Sequence, residues 1–114
     1  MSVKLPKLIE TYMKAQNAYD ADIALACFSE NATVYDEGET LRGKKAIRDW
    51  MEKTKKKYSP QFQPLGIKET KEETIMTTEV SGTFDGSPVK LDYHFKIKNS
   101  LIEDLNIVQP QLET

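Results

Sequence analysis

Ala32-Thr-Val-Tyr-Asp-Glu-Gly38, followed by Leu41-Arg42-Gly43, is the stretch from which the rest of the chain can be organised. Side chains of a strand alternate between its faces, so Val34 and Asp36 share one face of a short strand. If Val34 points into a core, a carboxylate points there too. A lone buried carboxylate is costly unless it is solvated, hydrogen-bonded or protonated. Two roles are open to it. Asp36 is either an acid in the wall of a pocket, or a structural acceptor of backbone or Arg42 hydrogen bonds in the Glu37-Gly38-Glu39 turn.

Upstream of this strand the apolar period is helical. Leu5, Leu8, Ile9, Tyr12 and Met13 recur at the spacing of one helix face, and Pro6 is tolerated in a first turn that has no donor to lose. Asp20 or Asp22 can cap a second, shorter helix carrying Ile23, Ala26, Cys27 and Phe28. Downstream, a third helix follows Gly43, with Ala46, Ile47, Trp50, Met51, Thr54 and Tyr58 on one side and Lys53 and Lys55 to Lys57 outside. Ser59-Pro60 ends it.

After Pro60 the period changes to two, beginning with a strand at roughly residues 62–70. Phe84-Asp85-Gly86-Ser87 reads as a hairpin turn of type I′, which needs positive φ at both central residues. Pairing Phe84 with Ser87 sets Val80 opposite Leu91, Thr78 opposite Tyr93 and Met76 opposite Phe95. The bulky residues then share one face, and Thr77, Glu79, Ser81, Lys90, Asp92, His94 and Lys96 the other. In this register Glu79 faces Asp92. Around Asn99-Ser100, a two-residue loop would put Leu105 and Ile107 on the polar face. A three-residue loop is therefore expected, with Tyr93 opposite Leu105, Leu91 opposite Ile107, and Glu103 brought inward.

Composition excludes several classes of function. The 114 residues are enough for one core, so the expectation is a single domain over residues 1–114. A formal charge of −2 offers no basic excess for nucleic acid or anionic lipid, so neither is an expected partner. The single cysteine, Cys27, can form no internal disulfide. With no secretory h-region at the N-terminus and no apolar run of membrane-spanning length, the expected location is the cytoplasm. One histidine and one cysteine give no zinc ligand set, and no phosphate-binding or dinucleotide fingerprint occurs. Neither metal nor cofactor is expected. The lysines at the end of the third helix read as a solvated last turn favoured by the helix dipole.

Three N-terminal helices packed on one face of a curved, mostly antiparallel sheet make an α+β domain. Phe28-Ser-Glu-Asn-Ala-Thr-Val-Tyr-Asp36, Leu41-Arg-Gly-Lys-Lys-Ala-Ile-Arg-Asp-Trp50 and the final strand ending in Leu105-Asn-Ile107 resemble the nuclear transport factor 2-like superfamily. The likeness runs from about Leu5 to Gln109 and is greatest to its SnoaL-like and ketosteroid isomerase-like branch. It implies a cystatin-like cone enclosing an apolar pocket, with the outer sheet face forming a homodimer. It also implies a pocket lined by Phe28, Val34, Trp50, Met51, Met76, Phe95, Leu105 and Ile107.

In the ketosteroid isomerase-like branch, the position matching Asp36 is the general base and that matching Tyr12 donates to the oxyanion. That enzyme is a standard case of an Asp base working beside a Tyr and a protonated Asp. Here Tyr93 occupies the protonated acid's position. The resemblance thus implies Asp36, Tyr12 and Tyr93 as catalytic residues acting on a small apolar molecule, one carrying a carbonyl. Two classes stay open: an isomerase, dehydratase or cyclase using Asp36, and a non-catalytic ligand-binding or dimeric interaction module. Tyr12, Tyr93, Trp50 and Met51 also read simply as core, His94 as a surface or dimer-interface residue, and Cys27 as an unreactive buried thiol.

Overall fold

The computed structural model describes residues 4–109. Helix α1, Lys7–Asn17, starts after Pro6 and buries Ile9, Tyr12, Met13 and Ala15 along one face. Leu5 lies before it, partly buried against the core. Helix α2 spans Ala21–Ala26, and its cap is Asp20, whose Oδ1 accepts the Ile23 amide at 3.2 Å. It buries Ala24 and Leu25 rather than Ile23, which is 49% exposed. Cys27 and Phe28 are buried after the helix has ended. Ile102 N donates to Cys27 O at 2.7 Å, and Phe28 pairs with Ile102, drawing the chain into the sheet.

Strand β1, Phe28–Asp36, turns through Glu37-Gly38 into β2, Glu39–Arg42. Both turn residues have positive φ, +51° and +79°, as a two-residue type I′ hairpin requires. Helix α3, Lys44–Tyr58, follows Gly43 and stops at Ser59 in the left-handed region, just before Pro60. The β1–β2 hairpin thus separates α3 from the two earlier helices. The remaining strands are β3, Gln61–Glu69; β4, Thr74–Ser81; β5, Val89–Lys98; and β6, Leu101–Val108. The sheet order is β2-β1-β6-β5-β4-β3, antiparallel except where β1 runs beside β6. Edge strand β3 carries Pro64 and a bulge at Leu65, both of which blunt an exposed edge.

Two registers differ from the sequence expectation. Across β4–β5, Val80 pairs with Val89, Thr78 with Leu91 and Met76 with Tyr93, two residues from the expected alignment. The ladder stops early because Pro88 has no N–H to give. The preceding amides bond elsewhere, Gly82 N to Ser87 Oγ at 2.9 Å and Thr83 N to Tyr58 O at 2.8 Å. Of Asp85-Gly86 only Gly86 has positive φ, so the turn is not type I′. An even shift preserves the faces, so the apolar set stays inside. It also replaces the expected acid–acid pair: Glu79 faces Lys90, and Thr77 Oγ1 donates to Asp92 Oδ1 at 2.7 Å.

The β5–β6 hairpin has a two-residue turn, with Asn99 and Ser100 at φ +54° and +63°. Lys98 pairs with Leu101 and Ile97 with Ile102, but Lys96 pairs with Asp104. Glu103 is the extra residue of a β-bulge, and the bulge reverses the parity of all that follows. Leu105 and Ile107 therefore face inward opposite Phe95 and Tyr93 without a three-residue loop.

The core lies between the sheet and the helices. Tyr12 packs edge-on against Phe28 and Phe95, with ring centroids 5.4 and 6.1 Å apart. Ile9, Val34, Ile47, Met76, Ile102 and Leu105 close around them, fully buried. Among the described residues no helix is long and apolar enough to cross a membrane.

Candidate functional site

Where β1, α3, β5 and β6 run past this core, they border a cavity of about 550 Å³. Each element changes role within a turn or a pleat. Val34 is sealed in the core, and Asp36, two residues on, is in the cavity wall. Ile47 and Met51 of α3 are buried, whereas Trp50 and Thr54 face the cavity. Phe95 and Leu105 pack inside, while Leu91, Tyr93 and Ile107 reach the wall. Phe62 and Val80 extend the apolar lining from β3 and β4, and Phe84 from the β4–β5 loop.

The polar groups converge on Asp36. Trp50 Nε1 donates to Asp36 Oδ2 at 2.9 Å, fixing the carboxylate against α3. Of the two acceptor roles open to Asp36 from sequence, backbone or Arg42, the backbone one is made, to Glu37. Burial pushes the Asp36 carboxyl above its ordinary range, and the charges of Glu37 and Glu39 add to this. The Trp50 and Glu37 N–H groups pull the other way, and burial prevails.

Tyr93 is buried in the wall, and no described group hydrogen-bonds its hydroxyl. Burial first, then proximity to Tyr12 and Asp36, holds its phenol well above the usual range, so it stays a proton donor. Tyr12 is fully buried, and its hydroxyl accepts from Gln16 Nε2 at 3.0 Å. Burial raises the Tyr12 phenol too. Gln16, not Tyr12, is part of the cavity wall.

The rim is built around Tyr58. Its hydroxyl donates to Glu37 Oε1 at 2.6 Å, its ring meets Phe84 edge-on at 5.5 Å, and its carbonyl accepts from Thr83. One side chain thus ties the β1–β2 turn, the end of α3 and the β4–β5 loop together. Gly82 is required there, since a Cβ would lie 2.2 Å from the Tyr58 carbonyl oxygen. A second groove of about 240 Å³ shares Asp36, Glu37, Trp50, Thr54 and Tyr58 with the first and adds Glu39, Asp49, Lys53 and Lys57.

Of the lining residues expected from sequence, Trp50 and Ile107 border the cavity. Phe28, Val34, Met51, Met76, Phe95 and Leu105 lie in the core and do not border it. Sequence reasoning missed Gln16, Phe62, Phe84 and Leu91 as wall residues. Phe62 and Leu91 carried the alternation signal for an inward face, but nothing local distinguishes an inward residue beside a void from one beside a helix. Gln16 and Phe84 are placed by tertiary structure alone. His94 lies on the outer face, with Nδ1 3.0 Å from Glu73 Oε2. Cys27 is buried. Among the described residues no three His, Cys, Asp or Glu side chains are grouped to hold a metal.

Comparison with known proteins agrees with this architecture. The model of the SnoaL-like domain matches residues 9–103. A candidate polyketide cyclase from Sinorhizobium meliloti is 36% identical, with a TM-score of 0.88 over 90% of this chain and 94% of its own. A Catenulispora acidiphila protein with a ketosteroid isomerase-like fold, solved with trimethylamine, has a TM-score of 0.79 at 14% identity, over 91% of this chain and 85% of its own. A Mycobacterium tuberculosis protein solved with estradiol-17β-hemisuccinate has a TM-score of 0.75 at 13% identity, covering 89% of each chain. No curated protein matches. The cavity, the sheet order and the match over residues 9–103 lead to one assignment: the chain belongs to the SnoaL-like domain family.

Proposed function

We propose that the cavity binds a small, mostly apolar carbonyl compound and that Asp36 removes a proton from the carbon next to the carbonyl. The observation that carries this reading is the placement of Asp36, a partly desolvated carboxylate in a largely apolar wall, aimed by the Trp50 indole. Desolvation raises its proton affinity, which improves it as a base. As the C–H bond breaks, its electron pair moves onto the carbonyl oxygen. The Tyr93 hydroxyl, lacking any other described acceptor, donates to that oxygen in a site with little water to compete. Tyr12 stands behind the wall and acts through Gln16, which it positions.

The resulting enolate carbon has two outcomes. It attacks a second carbonyl of the same substrate and closes a ring, the alkoxide so formed taking the proton back from Asp36; or, where a C=C bond is conjugated with it, the dienolate takes that proton at its far carbon and the double bond shifts. The cavity volume suits a folded substrate, and the 36% identical relative is described as a candidate polyketide cyclase, so ring closure is the outcome we favour.

Trp50 is the sole tryptophan and sits in the cavity wall, so its emission reports occupancy. The test is deuterium uptake at the α-carbons of methyl ketones that shift this emission. Wild-type protein is expected to accelerate uptake, and Asp36→Asn to abolish the acceleration while still binding. Equal uptake in both proteins refutes the catalytic role and leaves a binding module.

A further inference from the structure

The walls of the main cavity carry charge of one sign only. Asp36 and Glu37 are both in the lining, and no Lys, Arg or His is. Lys53 and Lys57 belong to the neighbouring groove, beyond the shared Trp50, Thr54 and Tyr58, and the exposed Lys57 ammonium is within electrostatic reach of Glu37 and Glu39 at the rim. Both lysines are already engaged. Lys53 lies 3.8 Å from Glu39, and the Lys57 ammonium lies 5.1 Å from the centre of the Tyr58 ring. Neither carboxylate of the main cavity is neutralised by an ion pair: Asp36 accepts from Trp50 and Glu37 from Tyr58, both uncharged donors. The rest of the lining includes the aromatic rings of Trp50, Phe62, Phe84 and Tyr93. The faces of such rings attract cations and not anions.

Resting on the reading of this cavity as the ligand site, we infer that it selects its ligand by charge. It takes an apolar body bearing a ketone or a protonated amine, and rejects the same body bearing a carboxylate. The physical reason is double. An anion placed among these walls loses part of its hydration and meets the half-buried carboxylate of Asp36, with the solvent-exposed Glu37 at the rim adding a weaker, screened repulsion. It also drives Asp36 toward its protonated form, so that a carboxylate that did enter would find no base. A substrate of this protein therefore arrives with its acid groups masked as esters or amides.

Three probes sharing one cage test this, first in the wild-type protein: 1-adamantyl methyl ketone, 1-adamantanemethylamine and adamantane-1-carboxylate, each titrated against Trp50 emission at neutral pH and again in high salt. The amine is expected to bind at least as tightly as the ketone. The carboxylate is expected to bind at least about tenfold more weakly than the ketone. Asp36→Asn and, separately, Glu37→Gln should each narrow the gap between carboxylate and ketone. A carboxylate that binds within threefold of the ketone overturns the inference, as does a gap unchanged in both variants. Deuterium uptake by the bound ketone is read in the same samples and separates the two claims. Charge selection without uptake supports this inference and refutes the catalytic reading; uptake with equal binding of all three probes does the reverse. No response to any probe overturns both.

Discussion

Two regions of the same inner surface are made from the same strands and follow opposite rules. In the sealed half, Tyr12, Phe28, Phe95, Ile102 and Leu105 are fully buried and interlocked. In the open half, Phe62, Leu91 and Trp50 are only partly buried, and beside them lie the carboxylate of Asp36 and the unbonded hydroxyl of Tyr93. The boundary runs across each element: Val34 to Asp36 on β1, Phe95 to Tyr93 on β5, Leu105 to Ile107 on β6. A side chain's distance along the strand, not its face, decides whether it serves the fold or the site. The sealed half is dense enough to hold the open half in shape, which is why apolar groups there can go without partners.

The sharpest way to break this contrast is to truncate one residue from each half of β5. Phe95→Ala should cost about 3–5 kcal/mol, since it empties a closed aromatic cluster. Leu91→Ala should cost only about 1 kcal/mol, because the space it leaves joins an existing cavity. Equal losses in urea denaturation would erase the boundary. The rim is tested next. Gly82→Ala sets a methyl group against the Tyr58 backbone, which has no side-chain freedom with which to yield. It should cost roughly 1–3 kcal/mol and weaken ligand binding together with stability, because Tyr58 ties three rim segments together. The smallest effect belongs to Thr78, fully buried with a hydroxyl that finds no partner among the described residues. Thr78→Val should be neutral or stabilising by up to about 1 kcal/mol, as removal of an orphaned buried donor allows. A marked loss there would reveal a bond that the structure does not show.

Much of the fold was legible in the chain. The helical spacing of Ile9, Tyr12 and Met13, the Ser59-Pro60 stop and the inward set of β4 and β5 all follow from period and turn chemistry. The SnoaL-like resemblance, carried by residues 28–36, residues 41–50 and the last strand and running from about Leu5 to Gln109, agrees with the family match over residues 9–103. The two register errors have different causes. Asp85-Gly86 looked like the turn that sets the ladder, but Pro88 and the Gly82 and Thr83 amides, bonded outside the ladder, ended the pairing sooner. Around Asn99-Ser100 parity was read correctly, yet the extra residue sits at Glu103 rather than in the loop. A bulge has no strong sequence signature, because its cause is the need to bury Leu105 and Ile107. The candidate site was half legible. Alternation places Asp36 and Tyr93 inward, but it cannot separate wall from core, so Phe28, Val34, Met76 and Phe95 were expected beside a ligand and lie instead in the packed half.

On the proposed reading, Asp36 is held where it is for chemistry, at a cost to the fold. Burial raises its carboxyl above the ordinary value in the folded state, so the folded state favours the neutral form. The stability linked to that preference is present at low pH and is lost as pH rises through the raised value, where the carboxyl must ionise. Asp36→Asn keeps an oxygen to accept from Trp50 and removes the ionisation. The most direct measurement is therefore the pH dependence of unfolding for the wild type and Asp36→Asn, taken with ketone deuterium uptake on the same two proteins. The account predicts that the variant loses uptake while equalling or exceeding wild-type stability at neutral pH, by up to about 1 kcal/mol, with the difference shrinking toward acid. A variant that keeps its uptake and loses stability at neutral pH would contradict it, and would make Asp36 a structural residue.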